Sequence, residues 1–247
     1  MIAALLLGRE GSVGFPGKNV LPVLGRPLME YPILAATGAS SVDQIYVSTD
    51  SVAIKEITIR NGAIVIDRPA YLCSKTALGE DAYVHGYYAI KEISNETIEL
   101  MVLLHCNAAT VSSEIIEQGI AALRADPTLD SAVSVSRYNM WSPLRARRLD
   151  ENGLLQPFVP LEVFGDPSTL NCDRDSQGDV LFADMGVSIV RPRCLEKIEE
   201  GLLPQKWMGK RIFPLRQEAG FDVDYEWQVP GVEWWLQQNG IVEKKTE

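Results

Sequence analysis

Hydrophobic residues gather in short unbroken runs along this chain, at 2–7, 44–48, 63–66, 100–105 and 131–135. These runs show neither helical period nor two-residue alternation, which is the pattern of strands buried on both faces of a parallel sheet. Between them, at 27–37, 51–61, 79–94 and 113–125, the sequence reads as helix. Strand alternating with helix predicts an α/β fold with a mostly parallel central sheet and helices on both faces.

The pattern breaks between 142 and 177, a stretch with four prolines and a DENG turn signal but no sustained helical period. Strands and loops projecting from the sheet are expected there, as a lid or a subunit contact. The alternating pattern then returns as a strand at 180–190, a helix at 193–200, a strand at 210–215 and a helix at 225–238. No internal repeat or low-complexity tract interrupts it. The chain thus reads as one domain over 1–247 with 142–177 inserted.

Composition narrows the function. A length of 247 residues with 46% apolar content suffices for one substantial core. The formal charge of −10 argues against sequence-independent nucleic-acid binding, which needs a basic face. It leaves room for a small anionic ligand in a local basic pocket, or on a cation held by carboxylates. Cys73, Cys106, Cys172 and Cys194 form no CxxC pair, so neither a zinc knuckle nor a redox motif is supported. Met1 leads straight into the apolar run without a basic leader, and no apolar stretch approaches the ~20 residues of a membrane span. A cytoplasmic chain with free thiols is expected.

The first strand runs into GREGSVGFPGKN, residues 8–19. Its glycines let a ligand reach main-chain amides, a way of cradling phosphate, and Arg9 and Lys18 add charge. The spacing fits neither GxxxxGK[ST] nor GxGxxG. Taken bare, the stretch suits a phosphate site or a tight turn with solvated basic residues.

The longer stretch LLLGREGSVGFPGKNVLPVLGRPLMEYPI resembles the N-terminal signature of the acylneuraminate cytidylyltransferases, the CMP-sialic acid synthetases, roughly ARxGSKGxPGKNxxxxxGxPLI. Arg9, Gly11, Ser12, Gly14, Pro16, Gly17, Lys18, Asn19, Gly25, Pro27 and Leu28 match, while Val13 replaces a frequent lysine. The similarity continues through IYVSTDS at 45–51, DRPAYL at 67–72 and FDVDYEWQ at 221–228. It implies a Rossmann-like nucleotidyltransferase fold, a homodimer in the family's manner with its contact in 142–177, and a reaction coupling CTP to a nonulosonic acid such as sialic acid with release of pyrophosphate. In such a reaction charge gathers on the phosphoryl oxygens, and electrostatic stabilisation dominates.

By this resemblance Arg9 and Lys18 grip the triphosphate beside the amides of Gly11 and Ser12, with Asn19 on nucleotide or loop backbone. Arg68 is the candidate base reader, with Ser74 and Thr76 near base or ribose. An ordinary surface arginine before a proline turn would look the same. In a strand, Asp222 and Asp224 share a face with a separation suited to one Mg²⁺, which removes their mutual repulsion while bridging phosphate oxygens. In the family these aspartates hold the magnesium. Asp224 could instead, or in addition, cap the following helix.

The acceptor side departs from the family. Where many members read LQPTSPLR this chain reads LLHCNAATV, so His105 stands for a glutamine often linked to the sugar and Asn107 for a threonine. His105 could donate to a sugar hydroxyl, act as base, or be a hydrogen-bonded structural histidine. Asp184, Met185 and Ser188 replace groups that surround the sugar, and Arg174 and Arg145 are the candidate partners of its carboxylate. Trp227, Trp234 and Trp235 are expected to pack against the sheet or a partner subunit rather than on a base. A sugar-1-phosphate nucleotidyltransferase using GTP would share loop and metal, and a non-catalytic sugar-nucleotide binding protein is the third alternative.

Overall fold

The computed structural model describes residues 1–11, 14–176 and 178–243. Eleven strands are assigned among them: β1 (Ile2–Leu7), β2 (Pro22–Val23), β3 (Arg26–Pro27), β4 (Gln44–Thr49), β5 (Ile64–Asp67), β6 (Leu100–His105), β7 (Ser131–Arg137), β8 (Arg147–Leu149), β9 (Leu155–Pro157), β10 (Leu181–Val190) and β11 (Ile212–Gln217). Seven build the central sheet, in the order β11-β7-β10-β6-β1-β4-β5. Pairing is parallel except along β10, which runs against both β6 and β7.

Helices α1 (Glu30–Gly38), α2 (Val52–Arg60), α3 (Gly79–Ser94), α4 (Ser113–Ala125), α5 (Pro192–Glu196) and α6 (Val229–Gln238) cover the sheet. Alternation along β1 explains why its run is apolar throughout. Ile2, Ala4 and Leu6 join a core with residues of α1, α2 and α4, whereas Ala3, Leu5 and Leu7 join one with Ala82, Tyr83, Tyr87 and Ile90 of α3. All six residues are buried, and each leucine contributes about 1.5–3 kcal/mol relative to exposure. The sheet and its two helical layers are those the pattern predicts.

A third apolar cluster joins distant parts of the chain. Val232, Trp235 and Leu236 of α6 pack with Val23, Leu28, Tyr31 and Val223, and the Trp235 indole donates to the Glu218 carbonyl at 3.0 Å. Trp227 and Trp234 are exposed, and of the three tryptophans Trp235 is the one buried in this cluster.

Four element boundaries differ from expectation. The helix expected at 27–37 begins only at Glu30, because Arg26 precedes a proline and is held extended, pairing with Val23 in the β2–β3 hairpin. The helix expected from 225 opens as a 3₁₀ turn, and α6 starts at Val229, where Pro230 sits in the first turn that tolerates it. Helix 193–200 divides into α5 and a short 3₁₀ turn at Ile198–Glu200. Strand β10 breaks register with β7 between Ala183 and Ser188, around Met185 at φ 64.

The excursion forms the β8–β9 hairpin, whose turn is set by Asp150 Oδ1 accepting from the amides of Asn152 and Leu154. It leaves Leu149, Leu154, Leu155, Phe158 and Val163 exposed. Among the described residues no helix is long and apolar enough to cross a membrane.

Candidate active site

Residues 8–11 leave the C-terminal end of β1, and Gly14, Lys18 and Asn19 stand beside Leu7, Gly8 and Arg9 on the same cavity. Gly17, at φ +75, takes a backbone conformation that side-chain-bearing residues resist, and it delivers the chain into a 3₁₀ turn that buries Lys18 and Asn19. Asn19 Nδ2 donates to the Arg9 carbonyl at 3.2 Å, so of its two expected partners Asn19 takes the loop backbone. The Arg9 guanidinium donates to the carbonyl of Ser74 and, at 3.5 Å, to that of Cys73.

The acidic segment meets this loop. Lys18 Nζ lies 2.5 Å from Asp224 Oδ1, with the lysine side chain 10% and the aspartate 56% exposed. Gly14 is where the backbones approach: a Cβ on it would stand 2.9 Å from the Asp224 carbonyl oxygen. Residues 221–224 are not a strand, contrary to expectation. They are extended chain held by the loop after β6, where Val223 N donates to Asn107 O at 2.9 Å and Asn107 Nδ2 donates to Val223 O at 2.9 Å and to Asp222 Oδ2 at 3.2 Å. Val223 is buried in the third cluster, which leaves the aspartates on either side to turn away from it. Asp224 does not cap the following turn through its carboxylate; its own N–H and that of Tyr225 donate to Gln228 Oε1.

Arg68, after β5, and His105, at the end of β6, complete the cavity. Arg68 is buried and spends Nε on Ser48 Oγ at 3.1 Å and Nη2 on the Ser48 carbonyl at 2.5 Å. His105 Nε2 lies 3.0 Å from the Tyr83 hydroxyl of α3. Together with Arg9, Lys18, Asn107 and Asp224 these residues line a cavity of about 360 Å³.

Charge within it is uneven. Burial, reinforced by Lys18 and Arg68, holds His105 down at about 4, so the imidazole is neutral at neutral pH. Burial also lowers Arg68. Burial first, and then the neighbouring Asp224 carboxylate, raises Asp222 above the usual carboxylate range.

The cytidylyltransferase family matches residues 3–149 of this sequence. The chain belongs to this family. A CMP-N,N'-diacetyllegionaminic acid synthase of Legionella pneumophila is 41% identical over 237 residues, 88% of this chain and 98% of that protein. An N-acylneuraminate cytidylyltransferase of Oncorhynchus mykiss is 26% identical over 92% of this chain, which spans 49% of its length. A solved structure of CMP:2-keto-3-deoxy-manno-octonic acid synthetase complexed with CTP shares the fold, with a TM-score of 0.67 at 15% identity over 96% of this chain and 99% of that one.

Not every expected residue of this cytidylyltransferase reaches the cavity. Gly11 is exposed on the loop, and Ser12 lies outside the described residues. The hydroxyls of Ser74 and Thr76, 3.3 Å apart and exposed, face a second cavity of about 710 Å³ lined also by Tyr71, His85 and Tyr88. Ser74 meets the loop after β1 through its carbonyl, which accepts from the Arg9 guanidinium.

Asp184 is corrected from sugar contact to buried anchor. Its carboxylate accepts from Ser134 Oγ at 2.5 Å, Ser136 Oγ at 2.7 Å, Gln217 Nε2 at 2.9 Å and the Gly186 amide at 3.1 Å, which fills its acceptor capacity inside the β10 bulge. Asn107 likewise spends its amide on the acidic segment rather than on a sugar. Arg145 and Arg174 stay on the excursion, bound to the Cys172 carbonyl at 2.6 Å and to Asp175 at 3.4 Å. Neither lines the cavity.

Tyr83 and Thr110 are the functional neighbours that sequence reasoning missed. Tyr83 falls on the apolar face of α3, where nothing distinguishes it from core. For a divalent cation, Asp222 and Asp224 present hard oxygen donors whose mutual repulsion a cation would relieve, so the pair fits the group. No cluster of three or more potential ligands occurs among the described residues, which leaves water and substrate phosphate to complete any coordination shell.

Proposed function

We propose that this chain transfers the cytidine monophosphate unit of CTP to the anomeric hydroxyl of a nonulosonic acid and releases pyrophosphate. The supporting observation is the meeting of Lys18, Asp224, Arg68 and His105 on one cavity, from four separate parts of the sequence. Such a transfer forms a bond from the anomeric oxygen to the α-phosphorus, breaks the one to the β-phosphate and passes the hydroxyl proton to water or the departing pyrophosphate, with negative charge growing on the phosphoryl oxygens. Lys18, fixed by its buried stem, and Arg9, tethered beside the cavity, supply cationic charge where it grows.

Asp222 and Asp224 would hold Mg²⁺, which when bound neutralises phosphate oxygens. Arg68 keeps its buried guanidinium facing the space for the base. His105 acts as a neutral hydrogen-bonding group toward the sugar and not as its base, because a group held at about 4 retains a proton poorly at neutral pH. A cytoplasmic enzyme and a homodimer belong to the same reading, the latter supported by the exposed apolar residues of 142–177.

The test is product analysis by mass spectrometry with Mg²⁺, using CTP and, separately, GTP against sialic, legionaminic, pseudaminic and 3-deoxy-octulosonic acids. A CMP-sugar from CTP alone is expected. No conjugate with any acid, or equal use of GTP, would reject the reading.

A further inference from the structure

The acidic segment lacks a neighbouring strand, yet Val223 is buried and Asp222 half-buried. What replaces the strand is the loop after β6. Thr110 Oγ1 donates to the Phe221 carbonyl at 3.0 Å and accepts from the Phe221 amide at 2.8 Å. Two residues on, Val223 is held in the same way, its N–H by the Asn107 carbonyl and its carbonyl by the Asn107 side-chain amide, both at 2.9 Å. Alternate residues are each clamped through both peptide groups, as they would be in a ladder.

Asn107 does one thing more. Its Nδ2 also reaches Asp222 Oδ2 at 3.2 Å, so one side-chain amide fixes the segment's backbone and the carboxylate beside it. An amide has two donor hydrogens and can serve both acceptors; a threonine hydroxyl has one. The clamp is itself anchored, because Gln217 Nε2 donates to the Thr110 carbonyl at 3.1 Å and to buried Asp184 at 2.9 Å.

We infer that Asn107 is a positioning residue for Asp222, acting with Thr110 to hold the acidic segment in place before any cation arrives. This rests on the reading of Asp222 as a cation ligand. Residues that orient a ligating carboxylate typically alter metal affinity about 10–100-fold when removed.

Two measurements on the full chain test it. Free Mn²⁺ is followed by electron paramagnetic resonance in the presence of CTP, and amide hydrogen exchange of peptides covering 221–225 is followed without metal. Asn107→Leu, of similar volume but without donors, should weaken Mn²⁺ binding about tenfold or more and speed exchange of that segment. Asn107→Ser serves as second variant should the leucine form fold poorly, and Asn107→Asp should weaken Mn²⁺ binding less than Asp222→Asn.

Wild-type Mn²⁺ affinity in folded Asn107→Leu overturns the positioning role, as does unchanged exchange across 221–225. Asp222→Asn binding Mn²⁺ like wild type would instead overturn the ligand assignment of Asp222, and the exchange measurement would still decide whether Asn107 holds the segment.

Discussion

Lys18 Nζ and Asp224 Oδ1, separated by 206 positions in the sequence, form an ion pair 2.5 Å long at the mouth of the cavity. Asp224 is largely exposed, so the pair contributes only about 0–1 kcal/mol to folding. In the proposed reaction its weight is in placing opposite charges around one ligand. Lys18→Met keeps the buried stem and removes the charge, and pyrophosphate release should fall about 100–1,000-fold with stability changed by less than about 1 kcal/mol. Near-normal turnover would remove Lys18 from the triphosphate.

Asp224→Asn halves the charge of the acidic couple. The Mg²⁺ concentration for half-maximal activity should rise about tenfold or more. A titration identical to wild type would mean that Asp224 serves only as the lysine's counter-ion.

His105 ties stability to pH. It is held at about 4 in the fold against 6.5 for the free side chain. Between these values the unfolded chain binds a proton that the native chain does not, so stability rises with pH across the window and is lost as pH falls from about 6.5 toward 4. Urea unfolding at pH 7 and pH 5 should show wild type losing up to about 2 kcal/mol more than His105→Gln over that interval. Parallel losses in both proteins would mean that His105 titrates normally.

Asp184→Ala leaves the Ser134 and Ser136 hydroxyls and the Gln217 amide without their buried acceptor. Stability should drop by about 3 kcal/mol, read from the urea midpoint. A variant of unchanged stability with a raised sugar KM would return Asp184 to the acceptor site.

Leu155→Glu puts a charge on the exposed face of the β8–β9 hairpin. If this face joins two copies, sedimentation velocity should show wild type as a dimer and the variant shifted to monomer, with the monomer's circular dichroism unchanged. A monomeric wild type at working concentration would rule out the contact.

The sheet was legible because its strands are buried on both faces, which writes continuous apolar runs into the sequence. The cationic loop was legible because glycine spacing and basic residues are local features. Helix starts at Glu30 and Val229 were less so, since one proline holds its predecessor extended and the other is tolerated only in a first turn.

Part of the acceptor side was illegible for a physical reason. Polar residues in HCNAAT and at Asp184 carry the same letters whether they face a ligand or one another. Only the fold shows that Asn107 and Thr110 are occupied with 221–223, and that Asp184 closes a bulge. Tyr83 gave no signal at all, because its ring belongs to the core even as it packs edge-on against His105 and brings its hydroxyl to the imidazole.

The packing of α6 and Val223 on Val23, Leu28 and Tyr31 has a bearing on biosynthesis. The turn carrying Lys18 leaves a ribosome 206 positions before Asp224, and the helix that backs the acidic segment follows later still. A nascent polypeptide can therefore complete its parallel strands while still lacking one half of the charged couple. On the proposed function, catalytic competence is then a late event of translation, reached once the acidic segment and α6 have packed on Val23, Leu28 and Tyr31.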